Sequence, residues 1–139
     1  MTRLDDLLTK QGFSKKTSKS NIDFPIIEEH LRFKLPEDYK YYLANYDDFE
    51  GFVGEEYLRL WKIDDLFKLN KEYGVNDLPD TIAIGTNGNM EFIAIELKVN
   101  DYRIVLSPFI DIDVQNHIEI GTSFSDMLIR LKNGIKWFN

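Results

Sequence analysis

His30 and His117 are the only histidines in this 139-residue chain, and no cysteine is present to join them in a metal site or a nucleophilic pair. His30 falls inside an amphipathic helical pattern and His117 opens a strand-like run, so both read as structural or exposed residues. No serine sits in a G-x-S-x-G turn, the arrangement that exposes a nucleophile above a sheet. The stretch "DIDVQNHIEIGT", starting at Asp111, follows a calcium loop for three positions and then departs from it. Its sixth position is Asn116 where the turn needs glycine, and its twelfth is Thr122 where a bidentate glutamate belongs. "GTNGN" at 85–89 has two glycines but no following lysine, so Asn87-Gly88 reads as a turn and not as a phosphate cradle. Neither a metal nor a cofactor is expected.

Carboxylates are abundant, with doublets at Asp5/Asp6, Glu28/Glu29, Asp47/Asp48, Glu55/Glu56 and Asp64/Asp65. Acid–base catalysis needs two carboxyls in one cleft with environments that push their pKa values apart. Scattered doublets are ordinary solvated charge. The segment 47–56 differs, because its acids interleave with Phe49 and Phe52 and Tyr57 follows at once. Two readings stand. Asp47, Asp48, Glu50, Glu55 and Glu56 can form a charged rim around Phe49 and Phe52 as apolar anchors, since interface centres favour aromatic residues and flanking charge steers a partner. Alternatively both phenylalanines are core and the acids simply face water.

The formal net charge is −7, and residues 41–139 carry more than all of it, with 17 acids against 9 bases, while residues 1–40 are slightly basic with 8 bases against 7 acids. Such a surface repels nucleic acid and anionic membranes and favours a basic partner. The length fits one domain, 1–139, and the 43% hydrophobic and 14% aromatic content supplies a core of its own. The absence of cysteine suits a reducing compartment. No long apolar run suggests a membrane span or a secretory leader.

The elements that must position these residues follow from periodicity. Leu4, Leu7 and Leu8 mark a first short helix, and 11–21 reads as a mobile loop. Asp23 caps a second helix with Pro25 in its first turn and Ile26, Ile27 and Leu31 on one face. Pro36 suits the first position of a third, where Leu35, Tyr39, Tyr42, Leu43 and Tyr46 recur at helical spacing. Residues 47–56 read as an irregular connection. "YLRLWKI" is a strand and "DDLFKLNKEYG" a short helix ending at Gly74. "TIAIGT", "EFIAIELK", "YRIVLS" and "HIEIGT" are further strands, with Asn100-Asp101 as a tight turn. A last helix is capped by Ser123 or Ser125, buries Phe124, Leu128 and Leu131, and stops at Gly134. Helices first, a sheet in the middle and a helix last predict an α+β domain with a mainly antiparallel sheet.

The run from Ile26 to Tyr46, "IIEEHLRFKLPEDYKYYLANY", resembles the signature of the SUKH superfamily, which contains the Smi/Knr cell-wall regulators of fungi and many bacterial immunity proteins. Ile27 and Glu28 open the pattern, and Leu35, Pro36, Asp38, Tyr39, Lys40 and Leu43 match its centre. "YLRLWKIDDL", "IAIGTNGNMEFIAIEL" and "TSFSDMLIRL" are similar to its later pieces and keep their order, so the resemblance spans about 22–133. Two departures stand out: 46–51 replaces the usual Asn-Gly-Gly, and Met90 replaces the second glycine of the sheet turn. The resemblance implies that the "LPEDYK" residues build a helix junction and that the variable acidic loop carries function. It further implies a cytoplasmic, non-enzymatic binding module, a monomer or weak homodimer, that neutralises a toxin domain with a basic face, a nuclease being one class. A regulatory or scaffold role of the Smi/Knr type is the alternative.

Overall fold

Six strands succeed one another across a single antiparallel sheet in sequence order, each joined to the next by a tight turn or a short excursion. The computed structural model of the chain describes residues 2–18 and 21–138. The strands are β1 (Glu50–Val53), β2 (Glu56–Leu60), β3 (Thr81–Thr86), β4 (Glu91–Lys98), β5 (Asp101–Pro108) and β6 (Ile118–Gly121). The helices are α1 (Thr2–Lys10), α2 (Phe24–Leu31), α3 (Glu37–Asn45), α4 (Leu66–Glu72) and α5 (Phe124–Lys132). The fold is α+β with an antiparallel sheet, as the order of the sequence patterns predicts.

Alternation along the strands splits the core in two. Ile82, Ile84, Ile93, Ile95, Ile104 and Leu106 point to the face covered by α1, α3 and α5. There they meet Leu8, Tyr39, Tyr42, Phe124 and Leu128, all nearly or fully buried. The opposite face carries Trp61, Ala83, Phe92, Ala94 and Val105, packed against Leu66 of α4 and Val75. The five positions from Leu35 to Tyr46 that share helical spacing are all buried.

The matched motif is a set of internal ties. Glu28 accepts from the backbone N–H of Leu35 at 2.6 Å and lies 3.8 Å from Lys40, which fixes the link between α2 and α3. Asp38 accepts from the N–H and hydroxyl of Ser125 at 2.9 and 2.8 Å, so α3 caps the start of α5 alongside Ser123, the true N-cap. Asp5 of α1 accepts from the Tyr41 and Tyr46 hydroxyls of α3.

Several expectations change. Pro36 sits one position earlier than expected, at the N-cap of α3. Ile26 is exposed, because the face of α2 that packs runs from Phe24 to Leu31, seven residues on. Of the loop expected at 11–21, Lys19 and Ser20 lie outside the described residues. Phe13 to Lys16 are docked: Phe13 stacks on Phe49 with centroids 3.9 Å apart, and the Lys16 ammonium donates to the Leu43 carbonyl. The turn between β4 and β5 is Val99-Asn100, both at positive φ, since Lys98 and Asp101 already pair. Residues 47–56 are not an irregular connection. They contain β1 and its turn into β2.

Candidate functional site: the outer face of the β1–β2 hairpin

The register of the hairpin decides what its acids and aromatics can reach. Val53 and Leu58 are fully buried and point to the helix-covered side. Glu50 pairs with Arg59 and Phe52 with Tyr57, and these four point the other way, where no helix covers them. Phe52 is 67% exposed and meets the Tyr57 ring edge-on at 5.6 Å. The Tyr57 hydroxyl donates to Glu50, and Arg59 lies 3.9 Å from the same carboxylate. Gly88 makes room for this arrangement: its φ is +77°, and a Cβ there would sit 2.6 Å from the Tyr57 ring.

Between this bare face and α4 runs a groove of about 710 Å³. Its lining includes Asp48, Glu50, Arg59, Trp61, Tyr73 and Phe109. Trp61 and Tyr73 are near-parallel at 6.1 Å, Tyr73 and Phe109 are 4.7 Å apart, and Phe109 contacts Phe92 of the core at 5.4 Å. An aromatic series therefore leads from the interior to the surface. Partial desolvation against the groove raises the carboxyl of the still exposed Asp48 above the usual aspartate range, against the pull of Lys62 and Lys16.

The seven residues expected to bind a partner fall into three groups. Asp48 and Glu50 line the groove, Phe52 stands on the face beside Glu50, and Asp47 is exposed next to Asp48. Glu55 and Glu56 lie at the other end of the hairpin, facing the C-terminal segment. Glu55 is 3.9 Å from Lys136, and Glu56 shares the inward side of Val53 and accepts from the Trp137 N–H at 2.5 Å. Glu56 is thus turned away from the outer face. Phe49 is not an anchor. It is 9% exposed, stacked on Phe13, and its N–H bonds the Tyr42 hydroxyl in the core.

Trp61, Tyr73 and Phe109 did not stand out in the sequence, since they lie on three separate elements and only the sheet unites them.

The other positions with chemical potential are engaged internally. His117 is buried with Nδ1 2.6 Å from Glu96, which also accepts from Arg103 at 2.9 Å. His30 stacks on Phe67 with centroids 3.9 Å apart. At 87–91 the N–H groups of Asn87, Gly88 and Asn89 bond Glu91, Thr86 and Asn87. A phosphate would find none of them free. Among the described residues no cluster of three or more His, Asp or Glu could hold a metal, and no helix is long and apolar enough to cross a membrane.

A comparison with curated proteins finds no match. The model of the SMI1/KNR4 family (SUKH-1) matches residues 20–130, which takes in the α2–α3 motif, the hairpin, the groove and nearly all of α5. The chain belongs to the SMI1/KNR4 family (SUKH-1), whose membership supports a protein-binding or immunity-type role with a protein partner, in a family of generally non-enzymatic modules.

Proposed function

We propose that this protein is a cytoplasmic immunity protein that neutralises a toxin domain by applying the outer face of the β1–β2 hairpin to a basic surface of the toxin. The observation that carries the reading is the concentration of charge: residues 47–65 hold seven acids and two bases, five of the seven net negative charges of the chain. Asp47, Asp48, Glu50 and the apolar Phe52 are exposed within that stretch. A nuclease fits such a face, because an enzyme that grips phosphate presents a basic active surface. An acidic inhibitor occupies that surface in place of nucleic acid. Steering of this kind raises association rates by roughly 10–10³-fold. An exposed aromatic anchor then slows dissociation.

The test begins with a tagged pull-down eluted by a salt gradient, followed by co-expression of the recovered toxin domain with the protein. Asp47→Lys combined with Asp48→Lys is expected to slow association by about tenfold or more in stopped-flow mixing and to weaken protection. Unchanged association would remove the hairpin from the interface. Recovery of a kinase or a cell-wall enzyme in place of a toxin would favour the alternative, a regulatory or scaffold role.

A further inference from the structure

We propose that the groove between α4 and the β1–β2 hairpin seats one arginine side chain of the partner, with its guanidinium stacked on Tyr73 and paired with Asp48. The inference rests on the binding role proposed for the hairpin face and names the chemistry that the face recognises.

Two features of the groove select the same group. Its floor is aromatic and open to solvent: Tyr73 is 44% exposed and lies against both Trp61 and Phe109. Its wall carries the carboxylate of Asp48, which forms no ion pair among the described residues, while the neighbouring Glu50 is already engaged by Tyr57 and Arg59. Aromatic faces attract cations, most strongly where water is excluded. Carboxylates accept paired N–H donors from a planar fork. A lysine ammonium is a compact point charge that satisfies one of these surfaces at a time. A guanidinium stacks on a ring and donates in its own plane to a carboxylate, so arginine satisfies both at once. The groove, at about 710 Å³, has room for the side chain and its flanking backbone.

Three of the protein's own cations, Arg59, Lys62 and Lys68, line the same groove. Arg59 lies 3.9 Å from Glu50, and Lys68 lies 3.9 Å from Glu72, so each has an acidic neighbour. Lys62 is exposed and close enough to pull on the Asp48 carboxyl. It is the charge an arriving guanidinium displaces. Removing it is therefore expected to tighten binding of the arginine, the reverse of what loss of a contact residue would do.

The probe is acetyl-Gly-Arg-Gly-amide, titrated into isotope-labelled full-length protein by NMR. The lysine, citrulline and glutamate counterparts serve as comparisons. The arginine peptide is expected to shift the Trp61 indole and the Tyr73 ring, with the lysine peptide weaker by about fivefold or more and citrulline silent. Asp48→Asn is expected to weaken the arginine peptide by about tenfold and Lys62→Met to strengthen it. Citrulline binding as well as arginine, a preference for glutamate, or groove resonances that stay still would each overturn the proposal. With the toxin in hand, Tyr73→Ala separates the two levels. If it leaves dissociation unchanged while the double lysine variant slows association, the hairpin face stands and the arginine slot falls. If neither variant has an effect, the hairpin reading itself falls.

Discussion

The side-chain amide of Asn70 donates to the Ala83 carbonyl at 2.9 Å and accepts from its N–H at 2.7 Å, in the manner of a neighbouring strand. It is needed because β2 pairs with β3 only at Arg59–Thr86 and Leu60–Gly85, and the chain has turned away by the time β3 reaches Ala83. Both Asn70 and Ala83 are buried, so water does not replace the bonds. Asn70→Ala would leave an unsatisfied donor and an unsatisfied acceptor, each costing about 1–3 kcal/mol. A loss of about 3 kcal/mol in urea denaturation is the expected outcome. A cost below about 1 kcal/mol would mean that α4 shifts to admit water. Val99 offers the opposite change. It is 94% exposed with φ at 31°, a region that penalises a non-glycine residue by roughly 1–2 kcal/mol. Val99→Asn is expected to raise stability by about 1 kcal/mol, read as a higher denaturation midpoint, because asparagine tolerates this conformation.

At the scale of elements, the α2–α3–α5 junction is a set of internal ties, and the hairpin is the face proposed for binding. Asp38 holds α5 through Ser125 and does not line the groove beside the hairpin. Asp38→Ala is expected to cost about 2 kcal/mol, the upper end for a lost helix cap, and to leave partner association unchanged when both are measured on folded protein. A slower association in that variant would give the motif a direct contact role. The junction was legible in the sequence because Leu35, Tyr39 and Leu43 recur at helical spacing and Pro36 marks the start. The hairpin was not. In 49–53 the inward phase holds Phe49 and Val53, the outward phase holds Glu50 and Phe52, and Gly51 lies between them, so a period of two assigns a phenylalanine to each face. That ambiguity is why the two phenylalanines part company: Phe49 in the core, Phe52 on the surface. The turn at Val99-Asn100 was misplaced by one residue for a related reason, since a valine at positive φ runs against the local preference that turn signals rely on. Of the candidate site, Asp47, Asp48, Glu50 and Phe52 lie within one short stretch of sequence. The groove could not, because only the fold brings Trp61, Tyr73 and Phe109 together.

For the molecule as a whole, acid is expected to act on folding and on the proposed binding through different carboxylates. Hydrogen bonds from Tyr46 and Tyr41 hold Asp5 below the ordinary aspartate range despite partial burial. Burial raises Glu96, but bonds from Arg103 and His117 outweigh it and leave it below the ordinary glutamate range. A depressed folded pKa means that the unfolded chain takes up the proton first. The stability these two groups contribute is therefore complete above the ordinary carboxylate range and is lost as pH falls through their folded values. Asp48 has the opposite sign: partial desolvation raises it, with Asp47 and Asp64 adding to the rise and Lys62 and Lys16 opposing it. As pH falls, Asp48, held above the ordinary aspartate range, takes up its proton before Asp5, held below it. A basic partner stabilises the ionised form of Asp48, so the complex holds fewer protons than its free components and affinity falls as the group protonates. Binding is thus expected to weaken in a pH window where circular dichroism still reports native protein. Calorimetry in buffers of different ionisation enthalpy should register proton release on binding in that window. Asp48→Asn should abolish the release and flatten the pH profile. Raising salt to about 1 M, where the Debye length is about 3 Å, should slow association at every pH, because screening acts on all the exposed acids of the face and not on Asp48 alone. An affinity that follows pH only as far as the fold itself does would place the partner on another surface of the protein.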